Sequence, residues 1–214
     1  MSLFDDQYRD VAIPKLKERF GYANVHQVPR VTKVTVNIGT GKGLKDAKLM
    51  EAMRQTLIRI TGQKPVEKKA RLSIANFNIR EGQIVGLTTT LRGPRMRHFL
   101  EKLVRVTLPR VRDFRGIPMN SFDGRGNYAF GMSENTVFPE IRTDEVEYSH
   151  GLQICVSTTA KTDDEARFLL QCLGFPLAKP EEGESKAERK KARKAAHKMQ
   201  REKDKSAAFS SSNA

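Results

Sequence analysis

The feature that most constrains the fold of this chain is strict alternation of apolar and polar side chains. It occurs in three separate segments. They are VTKVTVNIG from residue 31, VGLTTTLRG from residue 85 and LQICVSTT from residue 152. Successive side chains of a β-strand point to opposite faces of the sheet, so each segment predicts a strand with one buried and one open face. The sequence therefore predicts a sheet that packs helices on one side and presents polar groups on the other.

The open face of this predicted sheet carries uncharged polar and basic side chains. They are Lys33, Thr35, Asn37, Thr88, Thr90, Arg92, Gln153, Cys155 and Ser157. Such groups can bind a ligand by hydrogen bonds, but half-exposed sheets also carry threonine and lysine for solubility alone. Both interpretations stay open on the alternation by itself.

Apolar side chains at helical spacing predict helices between the strands. One stripe runs from Leu49 to Ile60 and stops before Gly62, a residue suited to a helix C-terminus. Another follows Thr162, which forms a capping-box pattern with Glu165, and it ends at Gly174. These helices are expected to cover the apolar face of the sheet.

Two more helices are expected at proline-marked positions. An N-terminal helix runs through Lys15 to Phe20, with Pro14 at its start or at a kink. A further helix begins at Pro94 and ends at Pro109, with Arg97, Lys102 and Arg105 outside. Its inward side chains are predicted to be Met96, Phe99, Leu100, Leu103 and Val106.

The charge of the chain points to an anionic polymer as its partner. The chain has 39 lysines and arginines against 25 aspartates and glutamates, a formal net charge of +14. This balance is the electrostatic footprint of a nucleic-acid binder. The sequence shows no long apolar run for a membrane span, and its start, MSLFDDQYRD, has acids where a secretory signal would be basic. We therefore expect an intracellular protein without a membrane partner.

The segment from Pro109 to Gly131, PRVRDFRGIPMNSFDGRGNYAFG, interleaves arginines, glycines and aromatics with few aliphatic side chains. Arginine pairs with phosphate and stacks on bases, aromatics stack on unpaired bases, and glycine lets backbone N–H groups approach phosphates. We predict that this segment builds no core and suits RNA. An ordered, glycine-rich surface loop with solvated arginines is the alternative.

Motifs for catalysis and for metal binding are missing from the sequence. GTGKG at 39–43 is too short for a nucleotide-triphosphate loop and predicts at most a site for one backbone phosphate. Asp123 has no obvious catalytic partner, and the four histidines lack zinc-site spacing. We expect no catalysis, no metal and no cofactor, and we expect Cys155 and Cys172 to be buried, reduced thiols.

Large apolar side chains become rare after residue 180. This change predicts a globular domain over residues 1–180 and a basic C-terminal extension over residues 181–214. The extension has 10 lysines and arginines against 6 aspartates and glutamates, so it carries +4 of the net charge. Ser185 and Glu188 form a capping-box pattern, and we expect a disordered or marginally helical segment. A solvated tail without a specific partner is the alternative.

Several strings occurring in order resemble the bacterial form of large-ribosomal-subunit protein five, the 5S rRNA-binding protein of the central protuberance. The resemblance extends from about Tyr8 to Pro176. The strings are QVPRVTKVTVNIGTG, ITGQKPVEKKARLSIANFNIREGQ, TLRGPRMRHFLEKL, PRVRDFRGIPMNSFDGRGNYAFG and FPEI.

The resemblance implies an α+β fold, with a mostly antiparallel sheet, helices packed on one face and 5S rRNA held by the sheet and adjoining loops. Uncharged amides and hydroxyls suit bases and 2′-hydroxyls, whereas lysine and arginine suit phosphates. The candidate 5S rRNA-binding residues are Lys33, Thr35, Asn37, Gln63, Lys64, Thr88, Thr90 and Arg92.

Two further contacts are implied by the same resemblance. The loop SIANFNIREGQ matches the family loop that approaches P-site tRNA, with Arg71, Asn76, Phe77, Asn78 and Arg80 as candidate contacts. The segment from Pro109 onward resembles the region that faces the small-subunit head and its protein thirteen, with candidates Arg110, Arg112, Arg115 and Arg125. The expected partners also include 23S rRNA and neighbouring large-subunit proteins.

Two departures from the family pattern stand out. Lys68 replaces the usual serine or threonine after GQKP, which removes a hydroxyl and adds a possible phosphate contact. The extension continues past the usual family end, and we expect it to lie along rRNA. Two other classes stay open: a free-standing RNA chaperone or regulator, and an RNA-cleaving or RNA-modifying enzyme, which would need an acid or metal cluster.

Overall fold

The computed structural model describes residues 3–41, 46–142 and 149–178. The helices are α1 Leu3–Gln7, α2 Ile13–Phe20, α3 Ala47–Thr61, α4 Gly93–Lys102 and α5 Asp163–Cys172. The strands are β1 Val31–Gly39, β2 Val66–Lys69, β3 Ile84–Leu91, β4 Tyr128–Met132 and β5 Leu152–Thr158.

The five strands form one antiparallel sheet in the order β2-β3-β1-β5-β4. This arrangement confirms the expected α+β fold and the three strands predicted from alternation. The sequence patterns missed β2 and β4. The four residues of β2, VEKK, lie on an edge and are mostly exposed, so they show no alternation. The strand β4 lies inside the segment that was predicted to build no core.

The apolar sides of β1, β3 and β5 form the centre of the core. Val34, Val36, Ile38, Leu87 and Ile154 are completely buried there. Helix α4 lies against β1 and α3 lies against β3, so the helices cover this face of the sheet. Each fully buried aliphatic side chain of this kind contributes about 1.5–3 kcal/mol through removal from water.

Helices α3 and α5 have the predicted ends. Gly62 follows α3 with φ of 65°, a left-handed conformation that glycine adopts without steric cost. At the start of α5, the Thr162 hydroxyl accepts a hydrogen bond from the Glu165 amide at 3.4 Å. The Glu165 carboxylate in turn accepts from the Lys161 amide at 2.9 Å, one residue before the expected partner.

The N-terminal helix is confirmed and is longer than predicted. The π-helical turn Tyr8–Ala12 joins α1 to α2, and Pro14 is the second residue of α2, in agreement with its predicted place at a helix start or a kink. Proline has no N–H, and its ring crowds the carbonyl of the fourth residue before it. An α-helix would need a hydrogen bond from the residue at position 14 to the carbonyl of Asp10, and proline cannot donate it. The wider π-helical turn lies at this place.

A second π-helical turn corrects the prediction for α4. The turn Leu103–Thr107 continues the helix, and a 3₁₀ turn, Leu108–Arg110, follows it, so Pro109 does not end the helical segment. The extra residue in the turn rotates the following side chains. Val106, predicted to point inward, is 41% exposed, and Thr107 is completely buried in its place.

Charged side chains join elements that are distant in sequence. Arg97 pairs with Asp5, and Lys102 pairs with Glu140. The Lys102 ammonium also donates to the Ile60 carbonyl at 2.7 Å. Lys102 is therefore half-buried against the end of α3, whereas the helical pattern predicted it outside.

The prediction that the segment from Pro109 to Gly131 builds no core is wrong. Ile117, Tyr128 and Phe130 are 4%, 1% and 5% exposed. The Tyr128 hydroxyl donates to the Pro118 carbonyl at 2.9 Å. Aromatic side chains here replace the aliphatic ones that usually indicate a buried strand.

Other expectations have mixed outcomes. Both cysteines are free, but only Cys172 is buried, while Cys155 is partly exposed on the open face of the sheet. Burial raises the pKa of both thiols. Residues 42 and 43 of the proposed phosphate turn at 39–43, and the whole extension at 181–214 with its predicted helix, lie outside the described residues.

The π-helical register makes a sharp prediction about two adjacent positions. We expect Thr107→Lys to lower the free energy of unfolding by about 3 kcal/mol or more, because it buries a charge without a partner. Val106→Lys should change it by less than about 0.5 kcal/mol, because that side chain faces solvent. Chemical denaturation of both variants tests this, and equal losses would contradict the shifted register.

Candidate nucleic-acid interface

Antiparallel pairing places the polar side chains of three strands in rows on the open face. Thr35 of β1 lies between Thr90 of β3 and Cys155 of β5. Asn37 lies between Thr88 and Gln153 in the next row. Because residues two apart along a strand share a face, the two rows lie side by side on one surface.

A hydrogen bond orders the second row. The Thr88 hydroxyl donates to the Asn37 side-chain carbonyl at 2.9 Å. This contact restrains both side chains before any ligand arrives. Side chains that are already ordered lose less conformational entropy on binding.

The remaining candidate 5S rRNA-binding residues surround this surface. The Gln63 side-chain amide donates to the Thr90 backbone carbonyl at 3.3 Å, which holds the turn after α3 beside β3. Lys64 is exposed in that turn, and Arg92 is exposed directly after β3. Lys33 lies opposite Ser157, and it precedes the Val34–Leu91 pair, so it lies at the same end of the sheet face as Arg92. The structure thus brings the predicted uncharged groups to the centre and gathers Lys33, Lys64 and Arg92 at one end, where β1 begins and β3 ends.

The edge strand β2 adds residues to this surface that sequence patterns did not assign to it. Val66 lies opposite Thr88, and Lys68 lies opposite Gly86. Lys68 is exposed, so its ammonium adds positive charge at this edge of the surface. The two lysines of VEKK indicated a basic surface in the sequence. The strand itself could not be predicted, because its side chains do not alternate between apolar and polar.

The connection between β2 and β3 is an exposed loop closed by its own hydrogen bonds. Ile74 and Ile79 exchange backbone hydrogen bonds of 2.9 and 3.2 Å across a 3₁₀ turn, Ala75–Phe77. Asn78 has φ of 53°, a conformation that asparagine tolerates better than most residues. The candidate tRNA-contacting residues Arg71, Asn76, Phe77, Asn78 and Arg80 are all exposed here.

This loop also exposes apolar surface at its tip. Phe77 is 68% exposed, and Leu72 is 73% exposed. The Ser73 hydroxyl accepts a hydrogen bond from the Glu81 amide at 2.9 Å and so joins the two arms of the loop. An aromatic ring held beyond the sheet among basic side chains is suited to stacking on RNA.

The glycine-rich loop after Phe122 does not offer its N–H groups to phosphate as predicted. The Asp163 carboxylate accepts from the Gly124 and Gly126 amides at 3.1 and 3.0 Å. Asp123 accepts from the Arg125 and Asn127 amides at 2.8 and 3.0 Å. An acid of the chain itself therefore occupies the place expected for an external anion.

These contacts also act on the ionisation of Asp123. The Asn127 side-chain amide donates to its carboxylate at 2.7 Å. This bond, followed by that from the Arg125 amide, holds the pKa of Asp123 below its usual value. The carboxylate is thus kept in its charged, hydrogen-bond-accepting form, as a loop anchor.

The four candidate arginines of this region lie exposed at two places. Arg110 ends a 3₁₀ turn, and Arg112 and Arg115 follow it along one wall of a cavity of about 350 Å³ beside the end of β4. Arg125 lies in the loop held by Asp163, and it does not line that cavity. The predicted set is therefore two separate basic surfaces.

Other site classes find no support among residues 3–41, 46–142 and 149–178. Within these ranges, no group of three or more histidine, cysteine or acidic side chains could hold a metal ion. In the same ranges, no helix combines the length and apolarity needed to cross a membrane.

Comparison with known proteins gives one consistent result. The family model for ribosomal protein L5 matches residues 24–80, and the model for the C-terminus of the same ribosomal family matches residues 84–177. Large ribosomal subunit protein uL5 of Thermotoga maritima is 52% identical over 172 residues, which cover 80% of this chain and 94% of the relative. Proteins of the same name from a Thermoanaerobacter species and from Microcystis aeruginosa are 51% and 52% identical over 84% and 79% of this chain, covering 100% and 95% of their own lengths.

Two neighbouring glycines of the loop provide a matched pair for substitution. A Cβ at Gly126 would lie 2.8 Å from the Ala160 carbonyl oxygen, whereas one at Gly124 would meet nothing within 4 Å. Both have positive φ, so Gly124→Ala should cost about 1 kcal/mol through backbone strain alone. Gly126→Ala should cost about 3 kcal/mol, because backbone must also move. Equal losses in urea unfolding would contradict this packing.

Proposed function

The chain belongs to the ribosomal protein L5 family, and on that premise we propose that the open face of its sheet binds 5S rRNA and helps attach it to the central protuberance. Membership makes the chain a structural, non-enzymatic constituent of the large subunit of the cytoplasmic ribosome. Its partners accordingly include ribosomal RNA and neighbouring proteins of that subunit.

The ordered polar rows of the sheet carry this proposal. Thr35, Asn37, Thr88 and Thr90 present hydroxyls and an amide on a surface without a covering helix among the described residues. Such groups bond base edges and 2′-hydroxyls, and they do so without the desolvation cost of buried charge. Except for Val66 on the edge strand, the adjacent residues Gly86, Gln153 and Cys155 are small or polar, which lets a wide RNA minor groove approach closely.

Basic side chains at one end of this surface and on its edge strand supply the second part of the interaction. Lys33, Lys64 and Arg92 lie outside the central rows, with Lys68 on the edge strand. Cations at the margin contact phosphates and give affinity that depends on salt, while the centre gives specificity. Gln63 contributes chiefly by holding the Lys64 turn against β3.

The exposed loop between β2 and β3 is proposed to approach P-site tRNA. Arg71 and Arg80 supply positive charge on its two arms, and Phe77 with its neighbours Asn76 and Asn78 forms the tip. We propose that these side chains contact the tRNA backbone and do not recognise specific bases. Cations and amides around one aromatic ring can bind phosphates and sugars of any sequence.

The arginines after α4 are proposed to face the small-subunit head and its protein thirteen. Arg110, Arg112 and Arg115 are exposed, Arg112 and Arg115 line one cavity, and Arg125 lies in the anchored loop. We further propose that residues 1–180 form the rRNA-binding domain and that the extension at 181–214 follows rRNA by virtue of its +4 charge. A map of the assembled subunit with the extension away from rRNA would contradict the latter.

Adjacent threonines on opposite faces of β3 test the role of the open face. Thr90→Val removes an open-face hydroxyl and should weaken 5S rRNA binding by about 1–2 kcal/mol, roughly fivefold to thirtyfold, with little change in salt dependence. Thr89→Val removes a hydroxyl that is 1% exposed on the helix side, so binding should be unchanged. Filter binding at several salt concentrations measures both, and equal affinities for both variants would exclude the Thr90 contact.

Lys64 provides the test of a phosphate contact. Lys64→Ala should reduce the slope of log affinity against log salt concentration by about 0.7–0.9, the value of one phosphate contact. Lys48→Ala is the matched control, because it removes the same charge from an exposed position at the start of α3. Identical slopes for wild type and Lys64→Ala would remove the proposed role.

A further inference from the structure

A cavity of about 670 Å³ lies beyond the polar rows, where β1 begins and β5 ends. The N-terminal helix, the segment that leads into β1 and the start of α5 enclose it. Pockets of this volume accommodate a nucleotide-sized ligand, since small-molecule sites span about 300–1,000 Å³. Neither the sheet face nor the loops considered above use this cavity.

Apolar and aromatic side chains form part of its lining. Tyr8 and Ile13 line it from the N-terminal helix, and Tyr22 and Val25 line it from the following segment. The Tyr8 hydroxyl donates to the Pro29 carbonyl at 3.2 Å, which ties the helix to the chain entering β1. This lining offers stacking and apolar surface to a planar ring.

A hydroxyl and a carboxylate supply polar groups inside the cavity. The Tyr22 hydroxyl is buried and makes no hydrogen bond of normal geometry to any described residue. Burial, and secondarily the neighbouring Glu165 carboxylate, raise the pKa of Tyr22, so its O–H remains a donor at neutral pH. Glu165 is fixed in place by the Lys161 amide at 2.9 Å.

Basic side chains lie at the opening of the cavity. Arg30 and Lys161 are both exposed and both line it. The backbone of Arg30 is held to Thr159 by two hydrogen bonds of 2.9 and 3.0 Å. The opening therefore carries positive charge on a fixed backbone, above a lining that is aromatic and contains one carboxylate.

We propose that this cavity receives a single unstacked guanine nucleotide of ribosomal RNA. The phosphate lies between Arg30 and Lys161, and the base enters the cavity toward Tyr22 and Glu165. Guanine presents two adjacent donors, N1–H and N2–H, on its Watson–Crick edge, which match the two oxygens of a carboxylate. Adenine, cytosine and uracil lack that pair of donors. The inference rests on the proposed RNA-binding function for the source of the nucleotide.

The test uses the full chain and guanosine 5′-monophosphate (GMP) as the probe, with adenosine 5′-monophosphate (AMP) and inorganic phosphate as comparisons, followed by amide NMR shifts. We expect GMP to shift the Tyr22, Arg30 and Lys161 amides and to bind at least fivefold more tightly than AMP. Absence of shifts at these amides at millimolar GMP would overturn the proposal. An effect reproduced by inorganic phosphate alone would overturn the base site.

Variants separate the roles of the base and phosphate groups. Glu165→Gln should bring GMP and AMP to within twofold of each other, and Tyr22→Phe should weaken GMP about threefold to tenfold while leaving the ring in place. Lys161→Ala should weaken both nucleotides equally. Glu165 also caps α5, so Glu165→Gln could fail to fold. In that case Tyr22→Phe and Lys161→Ala still test whether the cavity binds the nucleotide. Lys48→Ala is the charge-matched control and should bind as wild type does.

Intact large subunits identify the source of the nucleotide. If rRNA fills the cavity, radiolabelled GMP should bind the free chain but not the subunit in equilibrium dialysis. Stoichiometric binding to the subunit would overturn the rRNA assignment and indicate a free nucleotide. Binding of 5S rRNA by the Thr90→Val and Thr89→Val variants is measured separately, so failure of the cavity site is distinguishable from failure of the sheet face.

Discussion

Pairing of β1 with β3 on one side and β5 on the other is the constraint on which the rest of the structure depends. The same register that buries Val34 and Val36 beneath the helices places Thr35, between them, opposite Thr90 on the open face. A slip by one residue would exchange the two faces and expose the valines. The hydrophobic free energy of the core therefore determines the spacing of the polar groups available to RNA.

Strict periodicity and helix-end chemistry could be predicted from the sequence because they depend on neighbouring residues only. The alternation of β1, the stop at Gly62 and the Thr162 cap are local properties, and all of them are found in the structure. The exposure of Val106 could not be predicted, because a π-helical turn changes the helical phase without a distinctive residue. The cavity likewise joins residues from two distant parts of the chain, 8–30 and 159–165.

Composition was misleading at the glycine-rich loop for a different reason. Glycine and arginine beside aromatics suit a phosphate backbone, but the loop amides of Gly124 and Gly126 bind Asp163 instead. A carboxylate on the same chain acts at high effective concentration, because no second molecule must be captured. Which anion occupies such a loop is decided by tertiary structure, and a local pattern cannot reveal it. The RNA-binding roles of the arginines themselves remain proposals.

The edge strand β2 affects whether the newly made chain associates with itself before it binds RNA. Unpaired edges invite a second copy to add its own strand, and this route leads to aggregation. Here the edge is four residues long, is irregular between Lys68 and Lys69, and displays their two charges. Two such edges repel each other and offer few consecutive hydrogen bonds. Lys68, which is proposed to meet phosphate in the assembled particle, thus acts with Lys69 to discourage the newly made chain from associating with itself.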